Sequence, residues 1–482
     1  MAGTPDSDFK AMSSLLLPLA LAQFICSFAG SNMNVMINDI SKDLDTTVQG
    51  VQVAITLFLL IMAILMIPAS KLTDKWGRKR CFLGGLTLYG IGALLSAVSP
   101  GLGVLILGNS VLEGVGTALL IPPVYILTTL AFTNLTSRAR AFGTISALGG
   151  IGAAAGPLIG GVITTAISWR AAFVFQALVV VTIVFLSRKI TDPLPSDPDR
   201  PFDLAGAILS GVGLFFLVFG ILQADNDPAL MAAFMAVGVV FLTWCLLHLR
   251  SRERAGKDPL FSLSLFRNRV SDLGLVTQNI QWLMLMGITF TVSVYLQTVR
   301  DYNAIKTGVI FTALTLGILL ASLAAERLAK RREQRTLIRA GFVVTIAGIG
   351  LLLALVKSSE HIAAFVPGLF LMGIGLGVML TPSVNIVQSS FPEEKQGEIS
   401  GVSRSISNLG SSFGTAIAGT ILVSDLASGN RTYVLAMISL GALALVGLAA
   451  AMLLPANIAQ ETASPRVGSQ VVRRTWGGET SP

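Results

Sequence analysis

The chain has 482 residues, of which 53% are hydrophobic and only 12% are charged, and its mean hydropathy is +0.75. Soluble globular proteins are much less apolar, so the composition excludes that class and indicates a chain folded in a lipid bilayer. The net charge of +8 does not indicate a nucleic-acid partner, because the basic residues form short clusters between apolar runs rather than one aromatic-rich surface.

Fourteen apolar runs are long enough to cross a bilayer as helices. Crossing the hydrocarbon takes about 20 apolar residues, since every backbone polar group must be satisfied within the segment. The first run carries polar residues and no cleavage site, so we expect a retained span rather than a signal peptide. The predicted spans cover residues 14–38, 48–70, 81–99, 102–130, 141–166, 171–187, 204–223, 229–249, 272–297, 305–325, 337–356, 362–388, 398–423 and 432–455.

The connections predict both topology and organisation. Most of the 34 lysines and arginines lie in alternate connections, which favours an even number of spans with both termini in the cytoplasm. Two long connections rich in Pro, Asp and Arg bracket spans 7 and 8. We therefore predict an all-α polytopic membrane protein made of a cytoplasmic tail (1–13), a six-helix bundle (14–190), two additional helices (191–250), an amphipathic linker with a second six-helix bundle (251–455) and a cytoplasmic tail (456–482). Within the linker, LFSLSLF (260–266) is expected to form an interfacial helix.

The connection between spans 2 and 3 reads SKLTDKWGRKR, residues 70–80. Gly77 permits a tight turn, the cations Lys75, Arg78 and Lys79 hold the loop in the cytoplasm, and Asp74 is able to face a cation or a helix N-terminus. The simpler alternative is a plain basic loop that only sets topology. An acid at this position among cations is not needed for topology, so we favour a conformational role.

Span 5 carries GGIGAAAGPLIGG, residues 149–161. Gly152, Gly156 and Gly160 recur every four residues, so one face of the helix is bare and another helix is able to approach closely. Pro157 removes a backbone hydrogen bond and allows a bend. Taken alone, this pattern indicates tight packing that can flex.

These two motifs resemble the loop signature and the glycine–proline stretch of proton-driven antiporters in the major facilitator superfamily. SWRAAFVFQ (168–176), FDLAGAILS (202–210) and DPLFSLSLFRNR (258–269) are similar to stretches of its fourteen-span branch, the drug:proton antiporters. The resemblance implies a major facilitator fold in which two six-helix bundles rock about a central site. It also implies a small-molecule substrate, protons as the coupled ion, no cofactor and a monomer in the cell membrane.

The chain departs from this branch at the positions associated with coupling. Ala29 stands in span 1 where the branch has an acid, and Ser110 stands in span 4 where it has an arginine. Glu113 replaces the glutamine of the same span-4 motif. The coupling group is therefore expected to lie in a different place from that of its relatives.

Polar residues inside the spans are expected to face a watery cavity, because they are costly against lipid. Several recur at steps of three or four residues, which places them on one helix face. The candidates for lining the substrate cavity are Asn34, Asn38, Asn109, Gln278, Gln281, Trp282, Asn385, Arg404 and Asn408.

Glu113 is the only acid deep within a predicted span, and Arg404 is the only cation. An ionised carboxylate at the bilayer centre costs roughly 2.5–3.5 kcal/mol on insertion scales, so Glu113 is predicted to carry a proton. The alternative is a permanently protonated Glu113 that only supports packing. For Arg404, the alternative to a cavity role is a bond to backbone carbonyls or to Asp272.

The leading hypothesis is a secondary active transporter that exports amphipathic or lipophilic small molecules by alternating access in exchange for protons. A facilitator or lipid-like solute exporter without proton coupling is a second possibility, and a non-transporting receptor or scaffold is a third. An enzyme is not indicated, because the sequence has no P-loop or Ser-His-Asp pattern. The three cysteines have no spacing that would suggest a metal site or a disulfide framework.

Overall fold

The computed structural model describes residues 5–132, 135–192, 195–224, 227–329, 332–358, 361–392, 395–424 and 430–455. These residues form long helices joined by short connections, which confirms the predicted all-α membrane fold. Among these residues, thirteen helices are individually long and apolar enough to cross a membrane, and the number is fourteen if the bent pair Ala141–Ala153 and Ala155–Ala166 is counted as one span. The helices are α1 Leu15–Asp43, α2 Val48–Trp76, α3 Arg78–Ala97, α4 Leu102–Ala131, α5 Leu135–Ala166, α6 Trp169–Leu186, α7 Leu204–Leu222, α8 Pro228–Arg254, α9 Arg269–Val299, α10 Ala304–Ala324, α11 Gln334–Lys357, α12 Ile362–Ser389, α13 Gly397–Val423 and α14 Asn430–Met452.

The first helix begins at Pro5, ahead of the membrane-spanning part that is labelled α1, so the segment predicted as an N-terminal tail is helical from that residue. Residues 1–4 and the predicted C-terminal tail, 456–482, lie outside the described residues.

Helices α1–α6 pack among themselves, and so do α9–α14. The two groups meet along two seams, one between α2 and α13 and the other between α5 and α10. Small residues make the α5–α10 seam close. A Cβ atom on Gly161 would lie 2.4 Å from the Ala304 carbonyl oxygen, and one on Gly308 would lie 2.3 Å from that of Pro157.

The two additional helices occupy one of these seams. Leu214, Val218 and Leu222 of α7 pack against Leu60 of α2 and Ala416 of α13. Helix α8 packs on α7 and leaves large apolar side chains exposed, as expected for a helix that faces lipid. The inserted pair therefore covers the α2–α13 seam from outside.

Within the part of the chain that the structure describes, three spanning helices contain 3₁₀ or π segments. Helix α1 contains a 3₁₀ segment at Met33–Met36, and α4 and α9 contain π-helical segments at Ile106–Glu113 and Tyr295–Val299. π segments are rare and occur often at functional sites. All three irregular segments lie towards the same end of the molecule.

The linker stretch LFSLSLF does not form the predicted amphipathic helix. Only a short 3₁₀ turn is present, at Leu263–Arg267. The backbone N–H groups of Ser262 and Leu263 instead donate to the carboxylates of Glu398 (2.5 Å) and Glu253 (2.7 Å). Because the two carboxylates accept hydrogen bonds from these N–H groups, the segment does not need a longer helix to satisfy them.

Candidate functional site

Each end of the helical bundle carries an aspartate, and we name the two ends after these residues. The Asp74 face carries the connection between α2 and α3, and the Asp43 face carries the connection between α1 and α2. On the Asp43 face, Asp43 forms an ion pair with Arg170 and accepts a hydrogen bond from the Trp169 indole at 3.0 Å. Arg170 also donates to the carbonyl of Ser99 at 2.9 Å, which ties three connections of the first group together.

Near the Asp43 face, α1 and α9 are joined by a cluster of hydrogen bonds. The backbone carbonyl of Asn34 accepts from the Ser293 hydroxyl at 2.5 Å and from the Gln297 amide at 2.8 Å. The backbone N–H of Asn38 donates to Gln297 Oε1 at 3.0 Å. The predicted cavity residues Asn34 and Asn38 therefore contribute backbone atoms to a closure between the two groups of helices.

The glycine motif of α5 packs against α1. A Cβ atom on Gly152 would lie 2.3 Å from the Phe24 carbonyl oxygen, and one on Gly156 would lie 2.0 Å from Ser31 Oγ. Gly160 meets Asn32 in the same way, at 3.1 Å. The bare face expected from the sequence is thus the surface on which α1 rests.

The bend in α5 has a local cause. Its segments Ala141–Ala153 and Ala155–Ala166 meet at 41°. Pro157 has no N–H group to donate to the carbonyl four residues earlier, at Ala153, so the helix lacks a hydrogen bond where it bends.

Glu113 is completely buried at the end of the π segment of α4. It packs on α3, where Gly92 has no side chain to keep it away; a Cβ atom there would lie 2.9 Å from Glu113 Cγ. The hydroxyl groups of Tyr89 and Ser96 lie beside the carboxyl group but donate elsewhere, to Gln176 Oε1 and to the Gly92 carbonyl. Among the described residues, neither carboxyl oxygen has a hydrogen-bond partner.

Three polar residues of α4, spaced four residues apart, form a stripe, which we call the α4 stripe, that faces the interior of the protein. Asn109, Glu113 and Thr117 are all buried, and within the described part of the chain Asn109 Nδ2 and Thr117 Oγ1 also lack hydrogen-bond partners. Ser110, at the place of the branch arginine, donates to the Ala54 carbonyl of α2 at 2.7 Å. The α4 stripe therefore holds an acid in a buried region with unused hydrogen-bonding capacity.

Arg404 of α13 contacts the other group of helices. Its guanidinium lies over the ring of Tyr125 in α4, 4.1 Å from the centroid. The Tyr125 hydroxyl donates to Gln23 Oε1 of α1 at 3.2 Å. The partners considered from the sequence, a backbone carbonyl or Asp272, are not the contacts that the structure shows for this side chain.

The remaining predicted cavity residues divide into two sets. Gln278 and Gln281 are buried and bind neighbouring helices, through Ser403 and Ser407 of α13 and the Leu376 carbonyl of α12. In contrast, Trp282 and Asn408 are half-buried, and Asn385 is exposed. The two glutamines thus hold the second group together, and the other three side chains have surface available for a ligand.

On the Asp74 face, the loop motif is locked to the 187–203 connection. Asp74 accepts from Arg78 at 3.0 Å and from Arg200 at 2.8 Å. Asp192 accepts from the Arg78 backbone N–H at 2.6 Å, so it supplies the negative charge at the α3 N-terminus. Gly77 adopts φ +95° at the turn, a conformation that favours glycine.

Other basic groups of the motif bind the same connection. Lys75 donates to the Arg200 carbonyl and Lys79 donates to the Arg188 carbonyl, both at 3.3 Å. Asp74 therefore faces cations, one of the two arrangements expected from the sequence.

Sequence reasoning missed several residues that the structure brings to these sites. Tyr125, Gln297 and Ser293 join the two groups of helices, and Asp192 caps α3. A polar residue within an apolar run was a signal for Gln297 and Ser293, but their partner helix could not be deduced from spacing. No spacing rule linked Tyr125 to Arg404, because they are far apart in the chain.

Comparison with known proteins identifies the family. A model described as the Major Facilitator Superfamily matches residues 19–415. The puromycin resistance protein pur8 of Streptomyces alboniger is 29% identical over 412 residues, covering 84% of this chain and 81% of the relative. The multidrug resistance protein Stp of Mycobacterium tuberculosis is 26% identical over 86% of this chain and 76% of its own.

A third relative is the multidrug efflux pump LfrA of Mycolicibacterium smegmatis, which is 27% identical over 87% of this chain and 81% of its own length. The match to the family model extends over most of the chain and includes the loop motif on the Asp74 face. The protein therefore belongs to the Major Facilitator Superfamily and is a multi-pass membrane transporter rather than an enzyme.

Proposed function

We propose that this transporter exports amphipathic small molecules in exchange for protons, and that Glu113 carries the proton. The observation behind the proposal is the Glu113 carboxyl group, which is fully buried between α4 and α3 with both oxygens unpartnered among the described residues. A buried carboxylate without donors costs far more free energy than a carboxylic acid. Glu113 is therefore suited to hold a proton in this conformation and to release it when the surroundings change.

The surroundings of Glu113 provide a means of change. The carboxyl group stands at the end of a π segment, and a π segment that reverts to α-helix rotates the residues near it. In our proposal, reversion of this segment would turn Glu113 away from Gly92 of α3 and admit water to the polar residues of α4. In our proposal, substrate binding and protonation of Glu113 favour different conformations, which is the condition for exchange.

The relatives support the direction of transport, since two of them are named as resistance proteins and a third as an efflux pump. We propose the same direction here, with a monomer in the cell membrane, both termini in the cytoplasm and the Asp74 face on the cytoplasmic side. The clusters of Lys and Arg on that face support this orientation.

A transporter without proton coupling is the alternative favoured by Ala29 and Ser110. Ser110 serves as a hydrogen-bond donor to α2 where the branch has an arginine, so the usual coupling position holds only a structural contact. The alternative keeps the fold and the substrate cavity. It differs in assigning Glu113 to packing alone.

The test is transport in proteoliposomes with an imposed pH gradient, with internal pH and substrate followed together. We expect the wild type to move protons when substrate is added and Glu113→Gln to lose gradient-driven transport, with normal expression and melting temperature. Asp39→Asn is the control, because Asp39 is an exposed carboxylate near the end of α1. Full gradient-driven transport by Glu113→Gln would contradict the coupling role and leave the uncoupled transporter.

A further inference from the structure

Arg404, Tyr125, Phe142 and Gln23 form one arrangement, which we call the Arg404 platform. Arg404 lies over one face of the Tyr125 ring, and Tyr125 is stacked on Phe142 of α5 with centroids 5.8 Å apart and planes 17° apart. Gln23 accepts the hydrogen bond of the Tyr125 hydroxyl. The platform joins α13 to three helices of the other group, so its geometry depends on the position of one group of helices relative to the other.

The platform lies in the half of the molecule nearer the Asp74 face. The Asn34–Gln297 closure and the α5–α10 contacts lie in the opposite half. All four platform side chains are half-buried rather than enclosed. A compound entering between the two groups of helices from the Asp74 face would therefore reach this platform before the closure.

The charge of the platform is uncompensated. In the part of the chain that the structure describes, no carboxylate forms an ion pair with Arg404; the ion pairs of the other acids involve other cations. Glu113 packs on α3 within the first group. The ring of Tyr125 offsets part of the positive charge, but a cation–aromatic contact does not use the five N–H donors of a guanidinium.

From this arrangement we propose that the compounds bound here are aromatic anions, that is, amphipathic molecules carrying a carboxylate, sulfonate or phosphate beside a ring system. The anionic group would accept two N–H bonds from the planar guanidinium, and the rings would pack on Tyr125 and Phe142. A lipophilic cation would meet the charge of Arg404 without a carboxylate to receive it. The inference names the substrate class for the proposed export function and rests on that function, but it concerns a different residue from the proton carrier.

The test compares two dyes with the same xanthene ring and opposite charge, the anion fluorescein and the cation rhodamine 123. Binding to purified protein in detergent is measured by fluorescence anisotropy, and transport is measured in proteoliposomes. We expect wild-type protein to bind and transport fluorescein in preference to rhodamine 123. Arg404→Gln should weaken fluorescein binding about tenfold or more, the size expected for losing a charge-assisted hydrogen bond. Arg404→Glu should reverse the preference.

Two controls keep these outcomes separable. Arg404→Lys retains the positive charge but lacks the two parallel N–H donors of the guanidinium. It should keep the preference for the anion at lower affinity, and this result would show that a protein substituted at this site can fold. Arg300→Gln removes a guanidinium that also lies over a tyrosine, Tyr295, but on the Asp43 face, and should leave both dyes unaffected.

Wild-type protein that prefers rhodamine 123, or an Arg404→Glu variant with an unchanged preference, would overturn the inference. Selective fluorescein binding without any transport would instead count against the proposed export function and leave the inference on binding in place.

Discussion

At the scale of single residues, glycines allow neighbouring helices to approach closely. Gly156 lets Ser31 and the Phe28 carbonyl of α1 come within van der Waals distance of the α5 backbone. Helices in a membrane gain little from the hydrophobic effect when they associate, so close backbone packing carries much of their affinity. The α1–α5 contact is therefore sensitive to a single added methyl group.

Replacing Gly156 by Val should destabilise the protein by roughly 1–3 kcal/mol, because the new side chain would collide with Ser31. The expected observation is a lower melting temperature in detergent, with aggregation on gel filtration at a lower temperature than wild type. Gly150→Val is the matched control in the same helix, since a Cβ atom on Gly150 meets nothing within 4 Å. Equal melting temperatures for the two variants would contradict the packing seen here.

The same scale shows where sequence reasoning succeeds and where it stops. The depth of Glu113 and Arg404 follows from counting residues along apolar runs, because helix rise is fixed. Their neighbours do not follow, since a helix face meets whichever helix the fold places there. Glu113 meets α3 because Gly92 leaves room for it, and Arg404 meets Tyr125 across the two groups of helices. Neither fact is encoded in local spacing.

At the scale of elements, the start of α7 is organised by one carboxylate. Asp203 is 3% exposed, accepts from the backbone N–H groups of Gly206 at 3.0 Å and Leu260 at 3.1 Å, and lies 2.9 Å from His248 Nε2. Arg252 is 3.6 Å away. Asp203 thus caps α7 and fixes both the end of α8 and the following linker to it.

The pKa of Asp203 reflects this arrangement. Burial acts to raise it, but the hydrogen bonds from His248, Gly206 and Leu260 and the charge of Arg252 outweigh burial and lower the pKa below the ordinary value of 3.8. A lowered pKa in the folded state means that Asp203 stabilises the protein fully above the unfolded-state pKa. That stabilisation is lost as the pH falls through the folded-state pKa.

Asp203→Asn should therefore lower the melting temperature at neutral pH, by an amount that corresponds to roughly 1.5–3 kcal/mol for hydrogen bonds to a charged group. The difference between variant and wild type should shrink as the pH falls below the ordinary value of 3.8 and through the lowered folded-state pKa, where the wild-type carboxylate gains a proton. Thermal melting in detergent over a pH series measures both effects. Asp227→Asn, at the exposed cap of α8, is the control and should show a smaller change. A difference that stays constant down to pH 3 would contradict the role assigned to the charge.

The element scale also shows which predicted segments formed. The glycine motif of α5 packs closely on α1, because small residues at every fourth position leave a groove. The LFSLSLF segment failed to form its helix because two glutamates, one of them far away in the chain, bind its N–H groups. Alternation of apolar and polar residues does not reveal such partners.

At the scale of the whole molecule, the structure is closed on the Asp43 face. Gln297 lies at the centre of that closure, since it bonds to both Asn34 and Asn38 across the two groups of helices. Each hydrogen bond contributes about 0.5–1.5 kcal/mol net. Losing those of Gln297 is therefore enough to change the balance between conformations severalfold or more.

Gln297→Ala should increase the fraction of molecules open at the Asp43 face. The measurement is labelling of a cysteine at Gly30, a position of α1 with open space around it, by a membrane-impermeant maleimide added on the Asp43 side of oriented vesicles. We expect faster labelling in the Gln297→Ala background. Thr298→Val is the control, because Thr298 bonds only within the second group of helices, to Val294 and Tyr433. Unchanged labelling in both backgrounds would show that Gln297 does not hold the closure.

The position of α7 has a consequence for how compounds dissolved in the membrane reach the transporter. Leu214, Val218 and Leu222 fill the groove between α2 and α13, and α8 stands outside them, so this side is walled off from the acyl chains. The α5–α10 side has no helix of the inserted pair in front of it. The close contacts of Gly161 and Gly308 shut the half of that side nearer the Asp43 face. A lipophilic compound in the bilayer should therefore arrive laterally between α5 and α10 in the half nearer the Asp74 face.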